Sequence, residues 1–128
     1  WQEYGVKVSP DLTEDDVEAT IELLTKSRAR YVITTNTTTK HIPMHIPNSP
    51  GKGGASGAAL YYLSLMTQKM FDKKLDEVKS NIEIIAVGGI DSAEKARERT
   101  SSDRVNEIQI YTGLIFKGPK LLEELRAA

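Results

Sequence analysis

Apolar residues recur along this chain at two alternating spacings, and the alternation runs four times. Val6-Lys7-Val8 is a short β-branched strand pattern that stops at Ser9-Pro10, where proline blocks continuation of a strand or helix. Thr13 followed by Glu14, Asp15 and Asp16 predicts a helix start, a capping hydroxyl with acids where the helix dipole favours them. Val17, Ile21 and Leu24 then recur at helical spacing as far as Lys26. A second strand is predicted over Tyr31–Thr35. A second helix is predicted from Leu60 to about Leu75, with Leu60, Leu63, Met66, Met70 and Phe71 on one stripe read as core packing. Ile82–Val87 is nearly all apolar, as a strand covered on both faces should be. Ser92 caps a third helix through Ala93, Ala96 and Arg99, and Ile108 and Ile110 mark the fourth strand. Pro119–Arg126 reads as a closing helix with proline in its first turn.

Four strand-helix units in strict alternation predict an α/β fold with a parallel sheet and helices packed outside it. A chain of 128 residues is one domain at most. The irregular stretch from Asn36 to Ala58 is far longer than the usual connection of about 4–6 residues, which marks it as a binding loop or lid. Charge narrows the partners. With 17 Lys and Arg against 18 Asp and Glu the chain has no positive field for a polyphosphate backbone, so no nucleic-acid partner is expected and any anion must be gripped locally. There is no cysteine, hence no disulfide or thiolate chemistry. His41 and His45 have i, i+4 spacing, but Pro43 and Pro47 forbid the helix that would bring them to one metal, and no metal site is expected. The longest apolar run, Ala58–Leu63, falls far short of the roughly 20 residues of a membrane span, and no apolar signal segment opens the chain, so no membrane crossing is expected.

Ligands of parallel α/β folds collect at the carboxyl ends of the strands. Alternation puts Lys7 on the face opposite Val6 and Val8. If a helix covers the valines, Lys7 turns toward the sheet's concave side, where a cation calls for an anion; alternatively it is an edge-strand lysine facing water. Thr34-Thr35-Asn36-Thr37-Thr38-Thr39 offers groups that both donate and accept, suited to a planar polar ring, and is equally ordinary at a strand end. Gly53-Gly54-Ala55-Ser56-Gly57 permits close backbone approach or is a plain flexible loop; it is neither a Walker loop nor a dinucleotide fingerprint. Gly88-Gly89 after the third strand and Tyr111-Thr112-Gly113 after the fourth can together form the phosphate site that many barrels place after their last two strands, although either one alone is commonly a turn.

The order of these motifs is more specific than any one of them. Val6-Lys7-Val8-Ser9-Pro10-Asp11-Leu12, Thr35-Asn36-Thr37-Thr38, Gly53-Gly54-Ala55-Ser56-Gly57, Val87-Gly88-Gly89-Ile90 and Gln109-Ile110-Tyr111-Thr112-Gly113 resemble the C-terminal half of class 2 dihydroorotate dehydrogenases. The tail Phe116-Lys117-Gly118-Pro119 fits the same pattern. Departures are Ser9 for the usual Ala, Ala55 for a larger apolar residue, Ala58-Ala59 for Lys-Pro, and a polar Ser102-Asp103-Arg104-Val105 for the usual Ala-Gly-Ala turn.

The resemblance implies a (β/α)8 TIM barrel of which this chain is the last four units, since a complete barrel needs about 250 residues. It implies FMN as cofactor, oxidation of dihydroorotate to orotate in pyrimidine biosynthesis, and electrons passed to a quinone through a region outside this chain. Lys7, Thr35, Gly57, Gly88, Gly89, Tyr111 and Thr112 would hold FMN, Lys7 near the pyrimidine edge of the ring, and Asn36 and Thr37 would hydrogen-bond orotate. The catalytic base would lie outside the chain, leaving the isolated half inactive. Association with a membrane, mitochondrial inner or bacterial cytoplasmic, follows from the quinone. A half barrel also uncovers interior apolar side chains of the second to fourth strands, so the remaining half or a second copy is expected to cover them. Two other readings stand beside this one: a non-catalytic half barrel that binds phosphate or flavin, and a different FMN barrel such as a dihydrouridine synthase, which the threonine cluster and low positive charge disfavour.

Overall fold

The computed structural model describes residues 3–40, 48 and 52–127. His41, His45, Pro43 and Pro47 lie outside them. Four parallel strands, β1 (Gly5–Val8), β2 (Tyr31–Thr34), β3 (Glu83–Val87) and β4 (Val105–Gln109), form one sheet in the order β1-β2-β3-β4. Helices α1 (Glu14–Ser27), α2 (Tyr61–Glu77) and α3 (Ala93–Arg99) follow the first three strands. Two short helices, α4 (Thr112–Lys117) and α5 (Lys120–Arg126), follow the last.

The start of α1 is a capping box. The Asp16 N–H donates to the Thr13 hydroxyl at 3.2 Å and the Thr13 N–H donates back to the Asp16 carboxylate at 2.9 Å, so two of the helix's unpaired donors are satisfied reciprocally. Val17, Ile21 and Leu24 are its buried face. They join Val8, Val32, Phe71, Leu75, Ile84 and Val105 in a core between sheet and helices, where full burial of each large aliphatic or aromatic side chain stabilises by about 1.5–3 kcal/mol.

Strand register sorts the two faces. Val6, Val32, Ile84 and Val105 form one row across the sheet, and Lys7, Ile33, Ile85 and Glu107 the next. Because successive side chains point to opposite faces, the first row meets the helices and the second lines the concave side. An irregularity between Ile84 and Ile85 lets β4 carry Asn106 as an extra residue while Glu107 still pairs with Ile85.

Several expectations need correction. Val6 lies on the helix-facing row yet is 40% exposed, because α1 covers only the Val8 end of this edge strand. Strand β2 ends at Thr34, and Thr35 already leaves the ladder to donate its N–H to Val87 O. The fourth strand spans Val105–Gln109 rather than centring on Ile108 and Ile110. Its concave-side residues Glu107 and Gln109 are polar and exposed, unlike the apolar interior of β2 and β3. The stripe on α2 is also different: Met66 is exposed and Leu60 belongs to a short 3-10 turn before the helix, while Ser64, Thr67 and Gln68 are buried. Those three reach a strand end, a loop and a helix end, with the Ser64 hydroxyl donating to Val87 O at 2.7 Å, Thr67 to Pro10 O at 3.2 Å and the Gln68 amide to Arg99 O at 2.8 Å. Hydrogen bonding to main-chain carbonyls decided that face, over hydrophobicity. The closing helix is α5, as expected, but a short helix not expected from the sequence, α4, precedes it.

The polar turn before β4 has a structural role. Arg104 donates to the carbonyls of Ser80 and Ile82 at 2.7 and 2.9 Å and pairs with Asp76 at 2.5 Å, bracing the entry to β3.

Candidate active site at the carboxyl ends of the strands

A cavity of about 480 Å³ opens where the four strands end, within the range of about 300–1,000 Å³ typical of small-molecule and cofactor sites. All nine residues singled out by the sequence border it: Lys7, Thr35, Asn36, Thr37, Gly57, Gly88, Gly89, Tyr111 and Thr112. Ser56, Gln109, Ile115 and Phe116 border it as well and were not anticipated as lining residues. Ile115 and Phe116 belong to α4, the element the sequence pattern did not separate, and they give the mouth an exposed apolar rim.

Each part is held by identifiable contacts. Lys7 projects from the concave face of β1, exposed and with no carboxylate at ion-pair distance among the described residues. Its charge is therefore available to a ligand. Thr35 is buried and its hydroxyl donates to the Asn36 carbonyl at 2.9 Å. The Asn36 N–H donates to Val8 O at 2.7 Å, tying the loop after β2 to the end of β1, while the Asn36 side-chain oxygen accepts the Thr37 N–H at 2.9 Å. Asn36 and Thr37 are both exposed residues, and Thr37 Oγ1 lies against Gly54, where a Cβ would come within 1.8 Å of it.

A carboxylate of the connection between β1 and α1 secures this loop. Asp11 accepts the Thr38 hydroxyl at 2.5 Å, the Thr39 N–H at 2.9 Å and the Thr39 hydroxyl at 3.1 Å. Partial burial works to raise its pKa, but the bonds from Thr38 and Thr39, helped by Lys40, outweigh it and hold the carboxyl below its ordinary value. A group with a depressed folded-state pKa stabilises above its unfolded pKa and loses that contribution as pH falls through the folded value. Asp11→Asn should therefore cost about 1 kcal/mol at pH 7, discounted for solvent screening. In denaturant titrations at a series of pH values the gap to wild type should close as the pH drops below the ordinary aspartate range. A gap independent of pH would show that the charge on Asp11 contributes nothing.

The loop from Lys52 to Gly57 closes the opposite wall. Thr38 and Ala55 pair as an isolated antiparallel bridge, and the Thr112 hydroxyl donates to Ser56 Oγ at 2.9 Å. Gly89 has φ of +71°, and a Cβ there would lie 2.8 Å from Gly57 O and from Tyr61 Cα and Cβ. None of those atoms is a flexible tip, so only glycine lets this backbone close on the cavity wall. Tyr111 borders the cavity and is 76% exposed. Among the described residues no cluster of three or more metal-ligating side chains occurs, and no helix is long and apolar enough to cross a membrane.

Four consecutive β/α units, with a cavity at the carboxyl ends of parallel strands, define one half of a (β/α)8 barrel of the enzyme-bearing kind. The family model for dihydroorotate dehydrogenase matches residues 2–127, and the chain belongs to that family. It is 39% identical over 122 residues to a dihydroorotate dehydrogenase (quinone) of Aeromonas hydrophila, covering 94% of this chain and 35% of that protein. The match to the protein of the same name in Bordetella pertussis is 37% over 121 residues, covering 94% and 34%. A crystal structure of the Eimeria tenella enzyme in complex with ferulenol superposes with a TM-score of 0.85 at 25% identity, covering 98% of this chain and 32% of that one. The chain thus spans about a third of the length of the relatives it matches.

Proposed function

We propose that this chain supplies the strand 5 to strand 8 half of the flavin and orotate site of a quinone-linked dihydroorotate dehydrogenase. The observation that carries the reading is the convergence of all nine motif residues on one cavity at the strand ends. The site suits FMN on physical grounds: a glycine cradle that a Cβ would fill, backbone groups around Gly88-Gly89 and Tyr111-Thr112, and a lysine without a carboxylate partner. When bound, FMN supplies a hydride acceptor that returns electrons to quinone.

In this reading Gly57, Gly88, Gly89, Tyr111 and Thr112 meet the phosphate end through backbone dipoles, which compensates for a net charge of -1. Thr35 and Lys7 meet the ring. Lys7 would place its ammonium beside the ring, where a preoriented cation would stabilise the negative charge of the reduced flavin. Asn36 and Thr37, fixed by Val8 O and the Asp11 tie, orient the planar orotate ring for in-plane hydrogen bonds. The base that takes the substrate's proton and the approach for quinone, with its membrane association, belong to the complementary half.

Lys7→Ala tests the assignment in the full-length enzyme. FMN affinity should be largely intact, while the rate of flavin reduction by dihydroorotate in anaerobic stopped-flow falls by about 10²-fold. An unchanged reduction rate would place the reacting ring elsewhere.

A further inference from the structure

Arg99, on the last turn of α3, is completely buried. No carboxylate among the described residues lies at ion-pair distance from it. Its guanidinium donates to neutral oxygens instead: Nη2 to Thr34 O at 2.8 Å and Val87 O at 3.3 Å, Nη1 to Gly88 O at 3.2 Å, and Nε to the Gln68 side chain. The Tyr61 ring lies 5.9 Å away. Burial pulls its pKa down to about 10, which still leaves it charged at neutral pH. Glu98, which accepts the Tyr61 hydroxyl, and Tyr61 itself offset that burial only in part; a buried cation without a direct ion pair is costly, and a neutral side chain would suffice merely to fill the space.

The position of the charge suggests what offsets that cost. Arg99 grips the carbonyls at the carboxyl ends of β2 and β3, directly behind the cavity. In a trans peptide the C=O and N–H point in opposite directions, so a Gly88 carbonyl turned to Arg99 turns the Gly89 N–H away from it. That N–H donates to no described residue, and both glycines border the cavity. A cation on the carbonyl side of a peptide polarises the unit and strengthens the donor on the other side.

We propose that Arg99 is a positioning residue for the phosphate end of the flavin: acting through the Gly88–Gly89 peptide, it aims the Gly89 N–H into the cavity and gives the site a buried positive charge for a phosphate. This rests on the flavin reading above and extends it to a residue that never touches the cofactor. It also explains how a chain without net positive charge can hold a dianionic group. A purely structural pin would affect all flavins alike, whereas a charge relayed to the phosphate discriminates FMN from riboflavin, which shares the ring and the ribityl chain.

The test uses the full-length enzyme, stripped of flavin and titrated separately with FMN and riboflavin by fluorescence quenching. Arg99→Met should weaken FMN binding by about 10- to 100-fold, the loss of a charge-assisted contact, with little change for riboflavin. Arg99→Lys should keep most of the preference for FMN. If Arg99→Met does not fold, Arg99→Gln, neutral but able to hold Gly88 O, decides by the same ratio. Equal losses for both flavins, or unaltered FMN affinity, would overturn the proposal while leaving the flavin reading intact. A wild-type enzyme that binds neither flavin would overturn both.

Discussion

Gly89→Val should abolish FMN binding in the full-length enzyme. The substitution places a Cβ within 2.8 Å of Gly57 O and of Tyr61 Cα and Cβ, in a backbone conformation with φ of +71° that β-branched residues avoid. Relief requires the 52–57 loop or the start of α2 to retreat, and either movement opens the wall against which the phosphate would rest. Thr112→Ser is the contrasting change. It keeps the hydroxyl that donates to Ser56 and removes only the methyl, which a Cβ on Gly57 would meet at 3.1 Å, so FMN affinity should stay close to wild type. Flavin titration of the two variants checks both, and full FMN affinity in Gly89→Val would show that the phosphate is not held at this turn.

The isolated 128-residue chain should self-associate, or bind the complementary half barrel when that is supplied. Its sheet ends in β1 on one side and β4 on the other, so each edge offers unpaired backbone groups. Tyr4 and Val6 at the β1 edge are 45% and 40% exposed, and Ile115 and Phe116 on α4 are 67% and 85% exposed. Soluble monomers seldom leave such apolar surface open. The β4 face is less adhesive, since Asn106, Glu107 and Gln109 are polar and exposed, so association should run through the β1 edge and the α4 rim. Sedimentation at micromolar concentration should show dimers or larger species. A well-behaved monomer that binds no hydrophobic dye would contradict this.

Local chemistry was legible where it is local. The Thr13 and Ser92 caps, the strand-helix alternation and the nine cavity residues all follow from motifs a few residues long. What escaped the sequence pattern depends on partners distant along the chain. The buried face of α2 is polar because Ser64, Thr67 and Gln68 satisfy carbonyls of Val87, Pro10 and Arg99, between 23 and 57 residues away; hydrophobic periodicity has no means of registering that. Arg99 and Arg104 look like solvated charges on paper for the same reason, and only the fold reveals the carbonyls they collect. Helix α4 was hidden by its six-residue length and by Gly113 and Gly118 at its two ends, which read as turn signals.

We propose this chain's cavity as half of a flavin site reduced by dihydroorotate. The most direct measurement is the visible spectrum of the full-length protein, purified and then mixed anaerobically with dihydroorotate. Bound FMN whose absorbance bleaches on adding dihydroorotate and returns on adding a quinone is the expected result. A colourless protein that takes up no FMN, or a flavin that dihydroorotate leaves oxidised, would contradict it.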